Sequence, residues 1–149
     1  MSRDAIEDLV HRYADAVVRR DVEQWASTWA PDAVWELGAD RRVEGVEAIV
    51  ALWSSAMDGF RAVVQNVVNG TATLDDEAGS GEGRWYIHEH WQRADDRRGI
   101  LLAYYDDTYA LTAAGWRFAS RELRIQYRGP ADLSGTFENA WSADPVAGA

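Results

Sequence analysis

The sequence predicts an α+β domain in which N-terminal helices pack against one face of an antiparallel sheet. Apolar residues recur at helical spacing through the first third of the chain, and the period changes to two after Gly59. Helices followed by a run of strands favour α+β over a parallel α/β sheet. The length of 149 residues suits one domain, residues 1–149, with residues 129–149 as a C-terminal tail.

Three segments have the apolar periodicity of helices. In residues 4–20, Ile6, Leu9 and Tyr13 share one face, and Asp4 precedes Glu7 by three residues, as in a capping box. A shorter helix over residues 21–30 is expected to end before Pro31, and the third covers residues 46–57.

Five segments are predicted to be strands, and a sixth, residues 43–45, is predicted to be a short strand or a turn. They are residues 33–37, 43–45, 61–75, 84–94, 100–112 and 116–128. The last four form a meander, because polar turns separate them. Both faces of this sheet carry aromatic residues, and the helices can cover only one. We therefore expect a homodimer or homotrimer that assembles through the sheet.

The composition excludes several classes of site. The chain has no cysteine, and all 15 of its basic residues are arginine, so thiolate and Schiff-base chemistry are excluded. A formal net charge of −10 argues against binding to nucleic acid or to an anionic membrane. No apolar run approaches the ~20 residues of a membrane span, and the start shows no apolar targeting core. We expect a cytoplasmic protein that uses no cofactor.

Three motifs occur in order between residues 4 and 128. They are Arg12-Tyr13-Ala14-Asp15-Ala16, Trp29-Ala30-Pro31-Asp32-Ala33 and Gly115-Trp116-Arg117-Phe118. Together they resemble the SnoaL-like branch of the nuclear transport factor 2-like superfamily. The resemblance implies a cone-shaped fold, with three helices in the concave face of the sheet and one enclosed pocket. It also implies small-molecule chemistry, although the fold hosts both enzymes and non-catalytic binders.

The resemblance extends to scytalone dehydratase, bile-acid dehydratase and hexachlorocyclohexane dehydrochlorinase, which abstract a proton with an Asp–His pair. In this sequence Val18 stands where the resemblance implies the Asp, and Gln65 where it implies the His. Neither side chain can take a proton at neutral pH. Any catalytic acid or base must therefore be another residue.

Glu89 is the leading candidate for that acid or base. Alternation along the strand puts it on the same face as Trp85, Ile87 and Trp91. A carboxyl group among apolar side chains has its charged form disfavoured, which raises its pKa and suits acid–base catalysis. The alternative is a glutamate at a sheet edge or interface, paired with an arginine.

His88 and His90 alternate with Glu89 and should face the other way. Two imidazoles at this spacing do not complete a metal site, which needs three or four ligands, so we predict no metal. If the strand faces are exchanged, the histidines enter the pocket and Glu89 leaves it. For this reason His90 is kept among the candidate substrate-binding residues.

The remaining candidates are polar or aromatic residues predicted to face the pocket. Arg121, Tyr13 and Tyr105 join Glu89 as candidate catalytic residues, because a guanidinium or a phenol can hold a developing anion. The alternatives are a salt bridge from Arg121 to Glu89 or Asp107, and ordinary core packing for the tyrosines. Candidate substrate-binding residues are Trp35, Gln65, Asn69, Trp85, Asp107 and His90.

Two functions are compatible with these residues. The first is a cofactor-independent lyase, dehydratase or isomerase that acts on an apolar cyclic or aromatic metabolite. The second is a non-catalytic ligand-binding or accessory domain, which the absence of the Asp–His pair favours. An inward carboxyl group without an arginine partner would favour the enzyme, and a closed Glu89–Arg121 ion pair in a filled core would favour the binder.

Overall fold

The computed structural model describes residues 2–38 and 40–138. It contains three helices, which are α1 (Ser2–Arg19), α2 (Val22–Ala26) and α3 (Val46–Met57). The strands are β1 (Trp29–Glu36), β2 (Arg42–Glu44), β3 (Phe60–Asp75), β4 (Ser80–Arg93), β5 (Arg98–Thr112) and β6 (Gly115–Gly129). The predicted α+β class is confirmed.

The strands form one curved, unclosed sheet of six strands in the order β2-β1-β6-β5-β4-β3. All neighbouring pairs are antiparallel except β1 and β6, which run parallel. The parallel pair arises because β1 joins the sheet from the helical part of the chain, beside the last strand. The third helix, α3, links β2 at one edge of the sheet to β3 at the other edge. The helices pack within the concave face of the sheet, as in the nuclear transport factor 2-like cone.

The second helix is shorter than predicted. Asp21 caps it by accepting a hydrogen bond from the Gln24 amide at 3.0 Å, and the helix ends at Ala26. Trp29 already lies in β1, paired with Phe118 of β6, and the Thr28 carbonyl accepts from the Phe118 amide at 2.9 Å. Sheet pairing at this point outweighs the helical spacing of Trp25 and Trp29.

Aromatic rings fill the space between the helices and the sheet. The rings of Trp25 on α2 and Trp53 on α3 stack with their centroids 4.4 Å apart. Trp29 and Trp35 from β1 pack against Trp25, with centroids 5.6 and 5.4 Å away. All four tryptophans are buried, so β1 contributes to the core as well as to the sheet.

The chain turns back on itself after β6. The Tyr127 hydroxyl donates a hydrogen bond to the Pro130 carbonyl at 2.7 Å. The rings of Phe137 and Tyr127 pack together with their centroids 4.9 Å apart. Residues 139–149 of the predicted tail lie outside the described residues. Among the helices described, none is long and apolar enough to cross a membrane.

Candidate active-site cavity

An inner cavity of about 160 Å³ lies between the helices and the concave face of the sheet. Its apolar wall includes Val17 of α1, Trp53 and Met57 of α3, Val63 of β3 and Leu123 of β6. Its polar groups come from Tyr13, Trp35, Gln65, Glu89, Tyr105 and Arg128. The cavity is therefore largely apolar, with a few polar groups from several different elements.

An outer vestibule of about 310 Å³ adjoins the inner cavity. The two spaces share six lining residues, namely Trp35, Ala56, Phe60, Glu89, Leu101 and Arg128. The vestibule adds Trp91, Leu37 and Leu52 together with Arg41 and Arg93. Glu89 thus lines both the vestibule and the inner cavity.

Strand pairing places four of these residues in one line across the sheet. Gln65 of β3 is opposite Glu89 of β4, Glu89 is opposite Leu101 of β5, and Leu101 is opposite Arg128 of β6. All four side chains line the cavity. We call these four residues the inner row. Because neighbouring strands are about 4.8 Å apart, the row sets the lateral spacing of its functional groups.

Glu89 is partly buried, and its carboxyl group has one hydrogen-bond partner in the part of the chain described. Gln65 Nε2 donates to Glu89 Oε2 at 2.8 Å. Loss of solvent raises the pKa of Glu89 above its usual value, while the Gln65 hydrogen bond and the charge of Arg128 lower it by less. Glu89 is therefore a cavity carboxyl group that can hold or release a proton.

Tyr13 and Tyr105 bring their hydroxyl groups together at the cavity wall. The two oxygens lie 3.3 Å apart. Burial raises the pKa of both phenols above its ordinary value. Both side chains are therefore neutral phenols at physiological pH, and because one hydroxyl donates to the other, the pair has one hydroxyl proton left for a bound molecule.

Arg121 is buried in the core and is absent from the lining of both spaces. Its Nε and Nη2 donate to the two carboxylate oxygens of Asp107 at 2.7 and 3.1 Å. Its guanidinium also lies over the Tyr105, Phe118 and Tyr13 rings, at 3.8, 4.1 and 4.4 Å from their centroids. The salt bridge to Asp107, one of the alternatives from sequence, is the arrangement observed.

The Asp107 carboxylate also accepts a hydrogen bond from the Tyr109 hydroxyl at 3.0 Å, and that hydroxyl accepts from Trp85 Nε1 at 2.9 Å. Burial alone would lower the pKa of Arg121, but Asp107, Tyr13 and Tyr105 together more than compensate, so the pKa lies above its ordinary value. Arg121, Asp107 and Trp85 therefore belong to a closed buried network beside the cavity, contrary to their expected contact with a ligand.

Of the candidate substrate-binding residues, His90 and Asn69 do not lie at the cavity; the position of Asn69 is contrary to expectation, whereas His90 was expected to face away unless the strand faces were exchanged. His90 and His88 are exposed on the outer face of β4, as strand alternation from Glu89 requires. Asn69 is exposed because β3 has a bulge between Val67 and Asn69, which reverses the alternation that would have put it on the same side as Gln65. Within the described ranges, no group of three potential metal ligands occurs.

Sequence reasoning missed Arg128, which a second bulge brings to the cavity. The pairing of β5 with β6 shifts between Leu102 and Ala103, so that Arg128 becomes opposite Leu101. Without the shift, Arg128 would share the outward side with Glu122 and Arg124. The alternation of β6 alone gives no signal for this position.

Trp35 lines both spaces, as expected from sequence, and is 6% exposed. Its indole N–H has no hydrogen-bond acceptor among the described residues, and neither have those of Trp25 and Trp29. An unpaired buried donor costs free energy. Trp35 therefore offers the cavity wall a flat apolar surface, while its indole nitrogen is buried.

Comparison with known proteins supports the fold. One similar solved structure is LinA, with 22% identity and a TM-score of 0.80; the match covers 93% of this chain and 95% of that one. A second is LinA-type3 hexachlorocyclohexane dehydrochlorinase from Novosphingobium barchaimii, with 20% identity, a TM-score of 0.79 and coverage of 93% of this chain and 95% of that one. A third is a protein assigned as a scytalone dehydratase from Novosphingobium aromaticivorans, with 19% identity, a TM-score of 0.82 and coverage of 95% of both chains. At these identities the likeness shows the fold alone.

No curated protein sequence matches this chain. The model of the SnoaL-like domain matches residues 1–122, which is most of the chain. The resemblance seen in the sequence motifs is therefore confirmed, and the chain belongs to the SnoaL-like domain family within the nuclear transport factor 2-like superfamily.

Proposed function

We propose that this chain is a cofactor-independent enzyme in which Glu89 provides acid–base catalysis on an apolar cyclic or aromatic metabolite. The observation that carries the proposal is the position of Glu89, an inward carboxyl group in a cavity with an amide and no arginine as its hydrogen-bond partner. Its raised pKa lies closer to the working pH of an enzyme than that of an exposed glutamate.

Elimination or isomerisation suits these groups. In a dehydration, the Glu89 carboxylate takes a proton from carbon, the C–H electrons form the new double bond, and the C–O bond breaks. The proton that Glu89 has taken then passes to the leaving oxygen, so that water departs and the Glu89 carboxylate is restored. The one hydroxyl proton that the Tyr13–Tyr105 pair does not use internally can donate a hydrogen bond to that oxygen. An isomerase would return the proton to another carbon of the same substrate.

The other lining residues support binding rather than chemistry. Gln65 holds one Glu89 oxygen at 2.8 Å, which fixes the direction of the carboxyl group. Trp35, Trp53 and Phe60 provide flat apolar surface for a ring. Two of the similar structures are named as a dehydrochlorinase and a dehydratase, which supports a lyase over other reaction classes.

A non-catalytic binding domain is the second candidate. Val18 and Gln65 replace the Asp–His pair that the family resemblance implies, and Val18 is 41% exposed. In that case the same cavity would hold a ligand without changing it. Assembly through the outer face of the sheet and a cytoplasmic location remain predictions under either function.

The proposal is tested by turnover and by titration. Purified protein is incubated with a panel of cyclic hydroxy ketones, and loss of water is followed by the absorbance of the conjugated product. We expect Glu89→Gln to reduce the rate about 10²- to 10⁴-fold, the usual contribution of a positioned acid or base. Glu82→Gln, an exposed glutamate on the same strand, is the matched control and should retain the rate.

A titration needs no substrate. Carbon-13 NMR of the glutamate carboxyl groups, with Glu89 assigned by its loss in Glu89→Gln, should show Glu89 titrating above the exposed glutamates. A Glu89 that titrates with the exposed glutamates, or a Glu89→Gln variant with the wild-type rate, would contradict the proposal.

A further inference from the structure

The vestibule has an unusual charge for this protein. Its wall contains three arginines, Arg41, Arg93 and Arg128, and Glu89 as its single acidic residue. The chain as a whole has a net charge of −10, with 25 acidic and 15 basic residues. A local excess of guanidinium groups at the entrance to the cavity therefore runs against the overall charge.

None of these three guanidinium groups forms a salt bridge to a carboxylate in the described part of the chain. Arg128 and Arg93 act at longer range, where they lower the pKa values of Glu89 and of Asp95. Other arginines near the sheet differ in this respect. Arg42, the neighbour of Arg41, pairs with Glu36 at 2.7 Å and with Glu44 at 3.0 Å. The positive charge of the vestibule is therefore available to a bound anion.

The opposite face of the sheet has the reverse character. A groove there is lined by Glu36, Glu82, Asp106 and Glu122, and its one arginine, Arg84, pairs with Asp106 at 2.7 Å. Acidic walls repel anions and arginine-lined walls attract them, and a cleft concentrates this effect. The two faces thus differ in which molecules they admit.

Two of the arginines are positioned by the structure. The Arg93 guanidinium lies over the Phe60 and Trp91 rings, 4.7 and 5.3 Å from their centroids, which holds its plane and leaves its N–H groups free to donate. Arg128 belongs to the inner row, two strands from Glu89. An anion bound between them would lie within a few ångströms of the cavity that contains Glu89.

We propose that the substrate carries a carboxylate, which Arg128, Arg93 and Arg41 bind in the vestibule while its ring enters the inner cavity beside Glu89. The inference rests on the proposed function in that it takes this cavity as the substrate site. A guanidinium binds a carboxylate through two parallel hydrogen bonds, which fixes orientation as well as position. The apolar remainder of the vestibule, with Leu37, Leu52 and Trp91, fits the ring to which the carboxylate is attached.

The test compares two probes of nearly equal shape, 2-naphthoate and its neutral amide 2-naphthamide. Binding is measured by calorimetry at pH 7.5 and checked by quenching of tryptophan fluorescence, since Trp35 and Trp91 line the vestibule. We expect the wild-type protein to bind the carboxylate at least about tenfold more tightly, because the arginines contribute charge-assisted hydrogen bonds to it alone. Raising the salt concentration should reduce this preference.

Variants assign the preference to the vestibule. Arg128→Gln and Arg93→Gln should each weaken naphthoate binding several-fold, leave naphthamide binding unchanged, and abolish the preference when combined. Arg41→Gln, at an exposed position before β2, gives a further variant that leaves the core intact. Arg117→Gln is the matched control, because Arg117 lies at the other end of β6 from Arg128 and lines neither space.

Equal affinities for the two probes, no binding of either, or an equal loss in Arg117→Gln would overturn the inference. The result is separable from the catalytic proposal, because Glu89→Gln should keep the preference for the carboxylate. Selective binding with no effect of Glu89 on any turnover would contradict the catalytic role and leave the anion site standing.

Discussion

The carboxyl groups of Asp107 and Glu89 both lie on the concave face of the sheet, but one is ion-paired in the core and the other lines a cavity. Asp107 on β5 is fully enclosed, with both oxygens bound by Arg121 and one also by Tyr109. Glu89 on the neighbouring strand β4 faces a cavity and has the Gln65 amide as its hydrogen-bond partner. The same alternation of side chains placed both of them.

The difference separates a structural acid from a candidate catalytic one. The Asp107 carboxylate forms a buried ion pair with the Arg121 guanidinium, and this pair stabilises the fold. Loss of solvent raises the pKa of Glu89, and its carboxyl group lines the cavity with Gln65 as its hydrogen-bond partner. Inward position alone does not distinguish a candidate catalytic acid from a structural one, whereas inward position in a cavity with an incomplete set of partners does.

The largest expected effect is that of Asp107→Asn. This change leaves the Arg121 guanidinium buried without its counter-ion, so we expect the free energy of unfolding to fall by about 3–5 kcal/mol. Urea denaturation at pH 7 measures it. Asp106→Asn, the exposed neighbour that pairs with Arg84, should cost about 0–1 kcal/mol. Similar losses in the two variants would show that Arg121 does not depend on Asp107.

Glu89→Gln should have a smaller effect, of opposite sign, that depends on pH. The pKa of Glu89 is raised in the folded state, so between the unfolded and folded pKa values the native protein binds more protons than the unfolded chain. Wild-type stability therefore falls as pH rises through this window. The variant cannot titrate, so its advantage should be absent near pH 4, grow with pH, and then level off. Thermal melts at pH 4, 6 and 8 measure it.

If Glu89→Gln were less stable than the wild type at pH 8 and equally stable at pH 4, the carboxylate form would be the favoured one in the fold. Glu82→Gln, at an exposed site on the same strand, should show no such dependence.

The smallest expected effect is that of Gln65→Leu on the titration of Glu89. The Gln65 hydrogen bond lowers the pKa of Glu89, so its removal should raise that pKa further and move any pH–rate profile that depends on Glu89 in the same direction. Carbon-13 NMR of the carboxyl group measures the shift. Asn66→Leu, which changes an exposed neighbour, should leave the Glu89 titration in place, and an unchanged titration in Gln65→Leu would exclude Gln65 as its partner.

Alternation in the sequence predicted which side chains face the cavity where the strands are regular, and it failed where a bulge interrupts them. Between Trp85 and Trp91, β4 pairs with β5 without a shift, and the extra residue of the β3–β4 bulge lies in β3, so alternation within β4 placed Glu89 correctly. Bulges in β3 and in the β5–β6 pairing reversed the sides of Asn69 and Arg128. A bulge depends on how two strands pair rather than on a residue pattern within one of them, which is why alternation within one strand could not reveal it.

The buried network shows a second limit. Alternation predicted that Asp107 faces inward, and a bond to Arg121 was one of two alternatives. The choice between Asp107 and Glu89 as the partner of Arg121 depends on register, since Asp107 is directly opposite Arg121 in the β5–β6 pairing. Family resemblance predicted the fold, because that rests on many motifs in order, but left this choice open.

The inner row has a consequence for how such a domain changes its chemistry. Main-chain bonds between strands, rather than mobile loops, fix the separation of the four side chains. A new side chain at any one position inherits the same geometry without further ordering. A single substitution at Gln65 therefore exchanges an amide for an imidazole, and one at Glu89 exchanges a carboxyl group for a hydroxyl, while the strands around them stay the same.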